Sequence, residues 1–367
     1  MRVACIVGAR PNFMKMAPIL RAFDQYPQID STLIHTGQHY DAALSDVFFE
    51  ELEIRPPDTC LNVGSGSHAE QTARLLVELE KTFMQLNAEG GLDRVIVVGD
   101  VNSTMAATLA AAKLNIPVAH VEAGLRSFDR TMPEEVNRIV TDSLCDLLLV
   151  SEPEGVAHLK KEGHPDENIH LVGNVMIDTL LHQRKKAIQL NTLSDLGISP
   201  GSYGVVTLHR PSNVDQKQTL KNLVDVLIEI SSQLKIVFPI HPRTRNKLNE
   251  FGMMNVLEDA ADVVTLDPLG YLDFLCLTSQ AKVIITDSGG LQEESTALQI
   301  PCLTMRENTE RPITVSEGTS VLIGHDASYL QSCLHDVING NYKEGKCPEL
   351  WDGKASERIA KIVSSVC

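Results

Sequence analysis

The stretch that decides the fold runs from Val283 to Ser295 and reads VIITDSGGLQEES. Its β-branched apolar start is typical of a buried strand. Ser288-Gly289-Gly290 then predicts a turn, and a helix-forming segment begins at Leu291. Such a unit points backbone N–H groups and a helix N-terminus at an anion, and glycine lets a bulky diphosphate approach the main chain. We therefore predict that Ser288, Gly289 and Gly290 hold a nucleoside diphosphate, with Glu294 on the ribose hydroxyls.

The same strand-then-helix pattern recurs along the whole chain and predicts parallel sheets wrapped by helices. The predicted strands form two groups of six: Val3–Val7, Thr32–His35, Arg94–Val98, Val118–Val121, Leu147–Val150 and His170–Val172, then Gly204–Leu208, Lys235–Ile240, Val263–Leu266, Val283–Thr286, Cys302–Met305 and Ser320–Leu322. Between the groups lies a helical stretch, Asn174–Pro200, with a Gly/Pro-bearing end that is the best linker candidate. The fold class is therefore α/β, with two Rossmann-like doubly wound domains at 1–174 and 175–352 and a helix-like tail at 353–367.

Composition narrows the class of protein. The chain has 367 residues, enough for two domains, and its 43% hydrophobic content supports full cores. A net charge of −16 argues against a nucleic-acid partner. Eight scattered cysteines without CxxC spacing indicate reduced thiols, and no apolar run approaches the ~20 residues that cross a bilayer. The sequence predicts a soluble cytoplasmic protein with no membrane partner.

Polar side chains follow nearly every predicted strand, at the sheet edge where open α/β sheets bind ligands. Both domains contribute, so one interdomain cleft is expected to collect them. The candidate residues are Arg10, Lys15, Asp100, Glu122, Glu134, Arg138, His209 and His241.

Each candidate also has an ordinary structural interpretation. Arg10 and Lys15 supply positive charge against a diphosphate or belong to a solvated surface. Asp100 and Glu122 serve as acid/base groups or as helix caps. Glu134 and Arg138 share a helix face and form either part of the site or a weak ion pair. His209 and His241 are either catalytic or structural. A metal site at His35, His39 and Asp41 is not expected, because these residues lack the spacing of metal ligands. P-loop, GxGxxG and GxSxG motifs are absent.

Further motifs join these residues: Gly8-Ala9-Arg10-Pro11, Lys15-Met16-Ala17-Pro18, Thr36-Gly37-Gln38-His39, Val98-Gly99-Asp100, His120-Val121-Glu122-Ala123-Gly124-Leu125-Arg126, Pro133-Glu134-Glu135, Asn137-Arg138, Gly173-Asn174, His209-Arg210, Pro239-Ile240-His241, Thr286–Glu294 and Arg306 with Thr309-Glu310-Arg311-Pro312. Together they resemble the non-hydrolysing UDP-N-acetylglucosamine 2-epimerases nearly from end to end. The resemblance implies domains of the GT-B type, a C-terminal helix that packs back on the first domain, a homodimer, and no metal or nicotinamide cofactor.

The resemblance also implies roles and a reaction. Ser288, Gly289 and Gly290 would hold the diphosphate with Arg10, Glu294 would hold the ribose, and Arg311 and His241 would line the same pocket. Asp100, Glu122 and Glu134 would be the catalytic carboxylates, supported by Arg138 and His209. The family's reaction eliminates UDP in the anti sense to give 2-acetamidoglucal. UDP then adds back while C2 receives its proton on the other face.

Three departures from the best-known bacterial members bear on regulation and substrate. Asn12 stands in place of Glu, Tyr40 in place of Arg, and Pro211-Ser212-Asn213 follows His209-Arg210. The last two regions help those members to hold a second, activating UDP-N-acetylglucosamine, so we expect a weakened or absent requirement for it. Open alternatives are a UDP-2,3-diacetamido sugar as substrate, a hydrolysing 2-epimerase, a GT-B glycosyltransferase and a non-catalytic nucleotide-sugar sensor.

Overall fold

The computed structural model describes residues 1–37 and 51–366, with Arg10 described by its backbone only. Within that part the chain divides into two compact units. One comprises Met1–Leu180 and Glu349–Cys367, and the other comprises Leu181–Pro348. The segment Gln38-His39-Tyr40 and Asp41, which the sequence analysis considered, lie outside the described residues.

The first unit is built on a seven-stranded parallel sheet with the order β3-β2-β1-β4-β5-β6-β7. Its strands are β1 (Arg2–Val7), β2 (Asp30–His35), β3 (Thr59–Cys60), β4 (Arg94–Val98), β5 (Val118–Ala123), β6 (Leu147–Val150) and β7 (Ile169–Leu171). The helices that begin before Leu181 are α1 (Arg10–Phe23), α2 (His68–Ala88), α3 (Asn102–Lys113), α4 (Pro133–Leu144), α5 (Pro153–Lys161) and α6 (Val175–Ala187). The boundary between the two units, after Leu180, falls within α6.

The second unit repeats this arrangement with a six-stranded parallel sheet in the order β10-β9-β8-β11-β12-β13. Its strands are β8 (Tyr203–Thr207), β9 (Lys235–Pro239), β10 (Val263–Leu266), β11 (Val283–Thr286), β12 (Cys302–Thr304) and β13 (Ser320–Leu322). Its helices are α7 (Thr192–Asp195), α8 (Pro211–Val214), α9 (Lys217–Ser231), α10 (Pro242–Glu250), α11 (Met254–Glu258), α12 (Tyr271–Thr278), α13 (Gly289–Leu298), α14 (Ile313–Ser316) and α15 (Ala327–Asn339).

Both sheets have the doubly wound order 3-2-1-4-5-6, with one further strand in the first unit. All residues of β4 and β11 are buried, as expected for central parallel strands covered on both faces. In the first sheet the sequence order of neighbouring strands reverses direction between β1 and β4, and in the second sheet it reverses between β8 and β11. Ligands of such sheets bind beyond the carboxyl ends of the strands at that switch point. The α/β class with two doubly wound units is confirmed.

The prediction of two six-stranded groups was wrong for the first unit, where β3 is a seventh strand. It pairs with β2 through only Thr59 and Cys60. Two residues are too few for a periodic pattern, so no sequence signal marks this strand. The helix predicted from Leu291 begins two residues earlier, at Gly289, because the glycines themselves take up the first helical turn.

The last helix, α16 (Ala355–Ser365), lies against α1 in the first unit. Its start is fixed by the buried carboxylate of Asp178, which accepts the backbone N–H of Ala355 at 3.1 Å and of Ser356 at 2.7 Å. The hydroxyl of Ser356 donates to the same side chain at 2.6 Å. These bonds satisfy N–H groups that a helix N-terminus leaves without intrahelical partners.

Among the described helices, none combines the length and the apolar character that a membrane crossing requires.

Candidate active site

Glu122 stands at an irregularity of β5. The pairing of β5 with β6 shifts register between Val121 and Ala123, and Glu122 has a left-handed backbone with φ of 75°. Such a bulge re-aims one side chain, and this conformation is uncommon for a residue other than glycine. The carboxylate of Glu122 is buried and forms an ion pair with Nζ of Lys15 on α1. The sequence predicted both residues at the site, and the structure brings them into contact.

Gly99 leaves the room that this ion pair needs. Its φ is +67°, and a Cβ at this position would stand 2.9 Å from Nζ of Lys15. The turn after β4 favours glycine because of its left-handed backbone, and a Cβ here would also displace the ammonium group of Lys15. The next residue, Asp100, begins the polar edge of the sheet beside this pair.

Asp100 is held by Arg138 of α4. Nη1 of Arg138 donates to Oδ2 of Asp100 at 2.5 Å, while Nε and Nη2 donate to Oε2 of Glu135 at 2.9 and 2.7 Å. Glu135 also accepts the backbone N–H groups of Ser127 and Phe128, each at 2.9 Å. Burial alone would raise the pKa of Glu135, but the N–H of Ser127 and the guanidinium of Arg138 outweigh it and lower that pKa. Glu135 is thus an ionised anchor for Arg138.

The ion pair that was the structural alternative for Glu134 and Arg138 does not form between the two described side chains. Arg138 is buried and its guanidinium is taken up by Glu135 and Asp100, whereas Glu134 is exposed in the first turn of α4. One residue along a helix turns the side chain by about 100°, which decides which of two adjacent glutamates faces the sheet. Among the three predicted catalytic carboxylates, only Glu122 is buried, and about a third of the Asp100 side chain is exposed.

His120 supports this edge from inside the protein, a role that the sequence analysis missed. The imidazole is fully buried, with Nδ1 2.6 Å from Oδ1 of Asp142 and Nε2 2.8 Å from the carbonyl oxygen of Gly99. Burial alone would raise the pKa of Asp142, but His120 and Arg126 lower it. Both partners of His120 offer acceptor oxygens, so the two contacts hold the ring in one orientation. The network fixes the carbonyl directly before Asp100.

In the second unit, Asp287 organises the carboxyl ends of β8 and β11. It is fully buried, and its Oδ1 lies 2.7 Å from Nδ1 of His209. Its Oδ2 accepts the backbone N–H of Arg210 at 2.9 Å and Nδ2 of Asn213 at 3.0 Å. Burial alone would raise the pKa of Asp287, but the bonds from His209 and Asn213 lower it. Asp287 therefore orients His209, another role that the sequence analysis missed.

His241 lies beside His209, with ring centroids 5.7 Å apart. Its Nδ1 accepts the backbone N–H of Arg243 at 3.2 Å at the start of α10, which leaves the hydrogen on Nε2. Partial burial, and then the neighbouring charge of His209, lower the pKa of His241. The two histidines predicted at matching strand ends do come together, and both are partly open to solvent.

Ser288, Gly289 and Gly290 follow β11 as predicted, but the two glycines form the first turn of α13 and not a separate turn before it. Ser288 precedes α13 with an extended backbone, and its N–H donates to Oγ1 of Thr286 at 3.0 Å. A Cβ built on Gly290 would meet no heavy atom within 4 Å, so the first turn of the helix faces open space. Glu294, one turn further, is largely buried within α13. Arg311 belongs to the same unit, and its Nε donates to Oε1 of Glu293 at 2.7 Å.

The protein has two doubly wound parallel units. The first has carboxylates and basic partners at its strand ends, and the second has a histidine pair and a helix that begins with two glycines. Together these features define a GT-B-type α/β enzyme of nucleotide sugars. The family model described as UDP-N-acetylglucosamine 2-epimerase matches residues 21–364. The chain belongs to this family, and its class is that of the isomerases.

Individual relatives agree with this assignment. The UDP-N-acetylglucosamine 2-epimerase of Methanococcus maripaludis is 42% identical over 368 residues, which cover 99% of this chain and 98% of the relative. The UDP-2,3-diacetamido-2,3-dideoxy-D-glucuronate 2-epimerase of Pseudomonas aeruginosa is 36% identical with full coverage of both chains. The crystal structure of the Methanocaldococcus jannaschii UDP-GlcNAc 2-epimerase in complex with UDP-GlcNAc and UDP superimposes with a TM-score of 0.84, at 41% identity and 100% coverage of both chains.

Proposed function

We propose that the protein interconverts UDP-N-acetylglucosamine and UDP-N-acetylmannosamine by anti elimination of UDP to 2-acetamidoglucal and re-addition of UDP. The observation that carries this proposal is the pair of carboxylates at the ends of the neighbouring strands β4 and β5. Glu122 is paired with Lys15, and Asp100 is paired with Arg138. Inversion at C2 requires proton removal on one face and proton delivery on the other, and two separately anchored carboxylates suit this task.

Asp100, Glu122 and Glu134 are our proposed acid and base groups. Removing the weakly acidic C2 proton requires a base held in position, and bond cleavage at C1 transfers an electron pair to a diphosphate oxygen. Arg138 orients Asp100, and Lys15 balances the charge of Glu122. One carboxylate removes the C2 proton as UDP departs. C2 then receives a proton on its opposite face when UDP adds back.

The leaving group is assigned to the second unit. Ser288, Gly289 and Gly290 would bind the diphosphate at the N-terminus of α13, where backbone N–H groups and the helix dipole favour an anion. His209, oriented by Asp287, would donate to the departing oxygen. The remaining proposed contacts are Arg10 on the diphosphate, Glu294 on the ribose, and His241 and Arg311 along the nucleotide.

We further propose that the division of labour follows the two units, with the carboxylates in the first and the nucleotide in the second. The proposed elimination and re-addition transfer a proton and UDP but no hydride, so they call for no nicotinamide, and we propose that the reaction proceeds without a metal ion. Dialysis against EDTA should leave the turnover number unchanged. A loss of activity that Mg²⁺ or Zn²⁺ restores would contradict this part of the proposal.

One experiment separates the candidate activities. UDP-N-acetylglucosamine is incubated with the protein in deuterated water and followed by proton NMR. We expect deuterium at C2 and the appearance of UDP-N-acetylmannosamine. An inert C2 favours a glycosyltransferase or a sensor, while free N-acetylmannosamine with UDP indicates a hydrolysing 2-epimerase.

A second candidate substrate follows from the Pseudomonas relative, which is named for a UDP-2,3-diacetamido uronic acid and is 36% identical. Both substrates carry the 2-acetamido group and the diphosphate that the proposed site would use. They differ at C3 and C6. The ratio of their kcat/KM values decides between them, and we expect it to favour UDP-N-acetylglucosamine.

We also propose a homodimer in the cytoplasm. Helices α2, α3 and α4 border an apolar groove of about 540 Å³, which Leu76, Met105 and Val136 help to line. Large apolar side chains stand exposed on the same helices, with Met84 58% and Val136 44% accessible. Apolar surface of this kind favours association with a second copy. Cys60 is exposed and forms no disulfide with another described residue, which suits the reducing environment of the cytoplasm.

A further inference from the structure

Arg306 is a buried arginine that no role above explains. It follows β12 and is only 6% exposed. Its Nη2 donates to Oε1 of Glu310 at 2.9 Å. Its Nη1 is buried and has no hydrogen-bond partner among residues 1–37 and 51–366. Buried charged N–H groups are nearly always paired in native proteins, so an unpaired one calls for an explanation.

The unpaired nitrogen is aimed at the first turn of α13. A Cβ built on Gly289 would stand 3.7 Å from Nη1 of Arg306, and apart from its chain neighbours and the backbone of α13 itself, no other heavy atom of the described residues lies within 4 Å of that position. The space that glycine leaves free therefore opens onto this N–H and onto the helix N-terminus together. Gly290 faces open space on the same turn. A ligand oxygen that enters this space meets a guanidinium as well as backbone donors.

The loop that carries Arg306 is fixed to α13 at two further points. The hydroxyl of Thr309 donates to Oε1 of Gln292 at 2.8 Å, and Nε of Arg311 donates to Oε1 of Glu293 at 2.7 Å. The bond to Glu310 fixes the plane of the Arg306 guanidinium. Preorganised donors of this kind bind an anion without a further cost in side-chain ordering.

We propose that Nη1 of Arg306 donates to a diphosphate oxygen of UDP and shares that oxygen with the backbone N–H groups at the start of α13. This inference rests on the proposed function. When the bond between C1 and its oxygen breaks, the electron pair stays on that oxygen and the negative charge of the diphosphate grows. A fixed N–H in the same unit as the nucleotide helps to retain UDP until it adds back to 2-acetamidoglucal.

Binding measurements with a series of ligands test the contact. Calorimetric titrations of UDP, UMP and uridine compare the parent with Arg306→Lys. A charge-assisted hydrogen bond predicts a loss of UDP affinity of about tenfold to a hundredfold, with uridine binding changed by less than about twofold. The matched control is Arg358→Lys, since Arg358 forms an ion pair with Asp352 in the first unit. An equal loss for UDP and uridine would show a merely structural role and overturn the proposal.

A double-mutant cycle tests whether Arg306 and Gly289 serve one oxygen. Gly289→Ala adds a methyl group at ordinary contact distance from Nη1, so the variant is expected to fold. We expect the effects of Gly289→Ala and Arg306→Lys on UDP affinity to be strongly non-additive, and those of Gly290→Ala and Arg306→Lys to be closer to additive. Additive effects in the first cycle would contradict a shared oxygen.

If Arg306→Lys does not fold, failure of this inference can still be distinguished from failure of the proposed function. Gly289→Ala alone should still weaken UDP more than uridine, and equal UDP binding by this variant and the parent would overturn the inference. A parent protein that binds no UDP at all would overturn the proposed function itself. During turnover, Arg306→Lys should release more UDP and 2-acetamidoglucal per epimerisation than the parent.

Discussion

Nη1 of Arg138 donates to Oδ2 of Asp100 at 2.5 Å, and Nε and Nη2 of the same guanidinium donate to Oε2 of Glu135. The side chain that orients a proposed catalytic carboxylate is thus itself oriented by a second, buried carboxylate. Nδ2 of Asn137, the neighbour of Arg138, donates to the backbone carbonyl of Asp100 at 2.9 Å. Helix α4 therefore controls both the side chain and the main chain of Asp100.

Replacing Glu135 should reduce turnover although Glu135 touches no substrate in our account. Glu135→Gln removes the ionised acceptor of Arg138, so Asp100 loses its fixed orientation. We expect kcat to fall by about tenfold to a hundredfold, because misplaced catalytic groups are costly, while KM changes little. Steady-state kinetics check this against Glu78→Gln, a change in an exposed ion pair with Lys81. An unchanged kcat would show that Arg138 does not need this anchor.

Neutral substitutions of the two carboxylates at the ends of β4 and β5 should separate catalysis from binding. Asp100→Asn and Glu122→Gln keep shape and remove the acid/base function. We expect turnover to fall by about 10²–10⁴-fold, the usual contribution of such groups, with UDP affinity within about twofold of the parent. Rates from NMR and affinities from calorimetry give both quantities, with Asp166→Asn as an exposed control. Parental turnover in either variant would remove that residue from the mechanism.

The Arg306–Glu310 pair predicts a pH dependence of stability. Although burial opposes it, Arg306 lowers the pKa of Glu310 from 4.5 to about 2. The stabilisation is therefore fully present above pH 4.5 and is lost as the pH falls towards 2. At 1.36 kcal/mol per pH unit this amounts to roughly 3 kcal/mol.

The variant Glu310→Gln tests this directly. It should lower the free energy of unfolding at pH 7 and flatten its decline between pH 4.5 and 2, as measured by urea denaturation. Glu317→Gln, which affects an exposed pair with Lys346, serves as the control. A variant that keeps the parental acid sensitivity would contradict the assigned pKa shift.

The proposed dimer predicts a change of assembly on charging the groove of α2, α3 and α4. Val136→Asp places a carboxylate on its apolar rim, and burying an unpaired charge in an interface is costly. We expect the light-scattering mass to fall from that of two chains to that of one. Val256→Asp is the control, because Val256 is exposed on α11 of the second unit. A parent with the mass of one chain would refute the dimer.

The sequence departures predict a weak requirement for an activator. UDP-N-acetylmannosamine alone should be converted from the first moments of the assay, without a lag and without added UDP-N-acetylglucosamine. Progress curves with and without a trace of UDP-N-acetylglucosamine measure this. Turnover that begins only after its addition would show that the activating site is retained in spite of Tyr40 and Pro211-Ser212-Asn213.

Much of the fold was predictable because it follows from local patterns. The strands Arg94–Val98 and Val283–Thr286 have the bounds predicted, since short apolar runs with polar and glycine residues around them mark buried strands. The glycine-containing N-terminus of α13 after Ser288 was recognisable for the same reason, because its chemistry depends on neighbours in sequence. By contrast, the two-residue strand β3 has no pattern to read.

The supporting residues of the site were not predictable from local patterns. Asp287 and His120 act through partners 78 and 21 residues away in sequence. The choice of Glu135 over Glu134 as partner of Arg138 depends on how α4 is rotated against the sheet. The re-aimed side chain of Glu122 depends on a bulge in β5. These features arise from tertiary packing, which a single sequence does not reveal.

The central claim is that UDP leaves C1 during each epimerisation, and positional isotope exchange tests it most directly. UDP-N-acetylglucosamine is prepared with ¹⁸O in the oxygen that joins C1 to the diphosphate, and ³¹P NMR follows the label. Our account predicts that the label moves into the non-bridging positions of the β-phosphate as C2 exchanges with solvent, and that Asp100→Asn slows both processes together. Deuterium entering C2 of UDP-N-acetylmannosamine while the label stays in its bridging position would contradict the account.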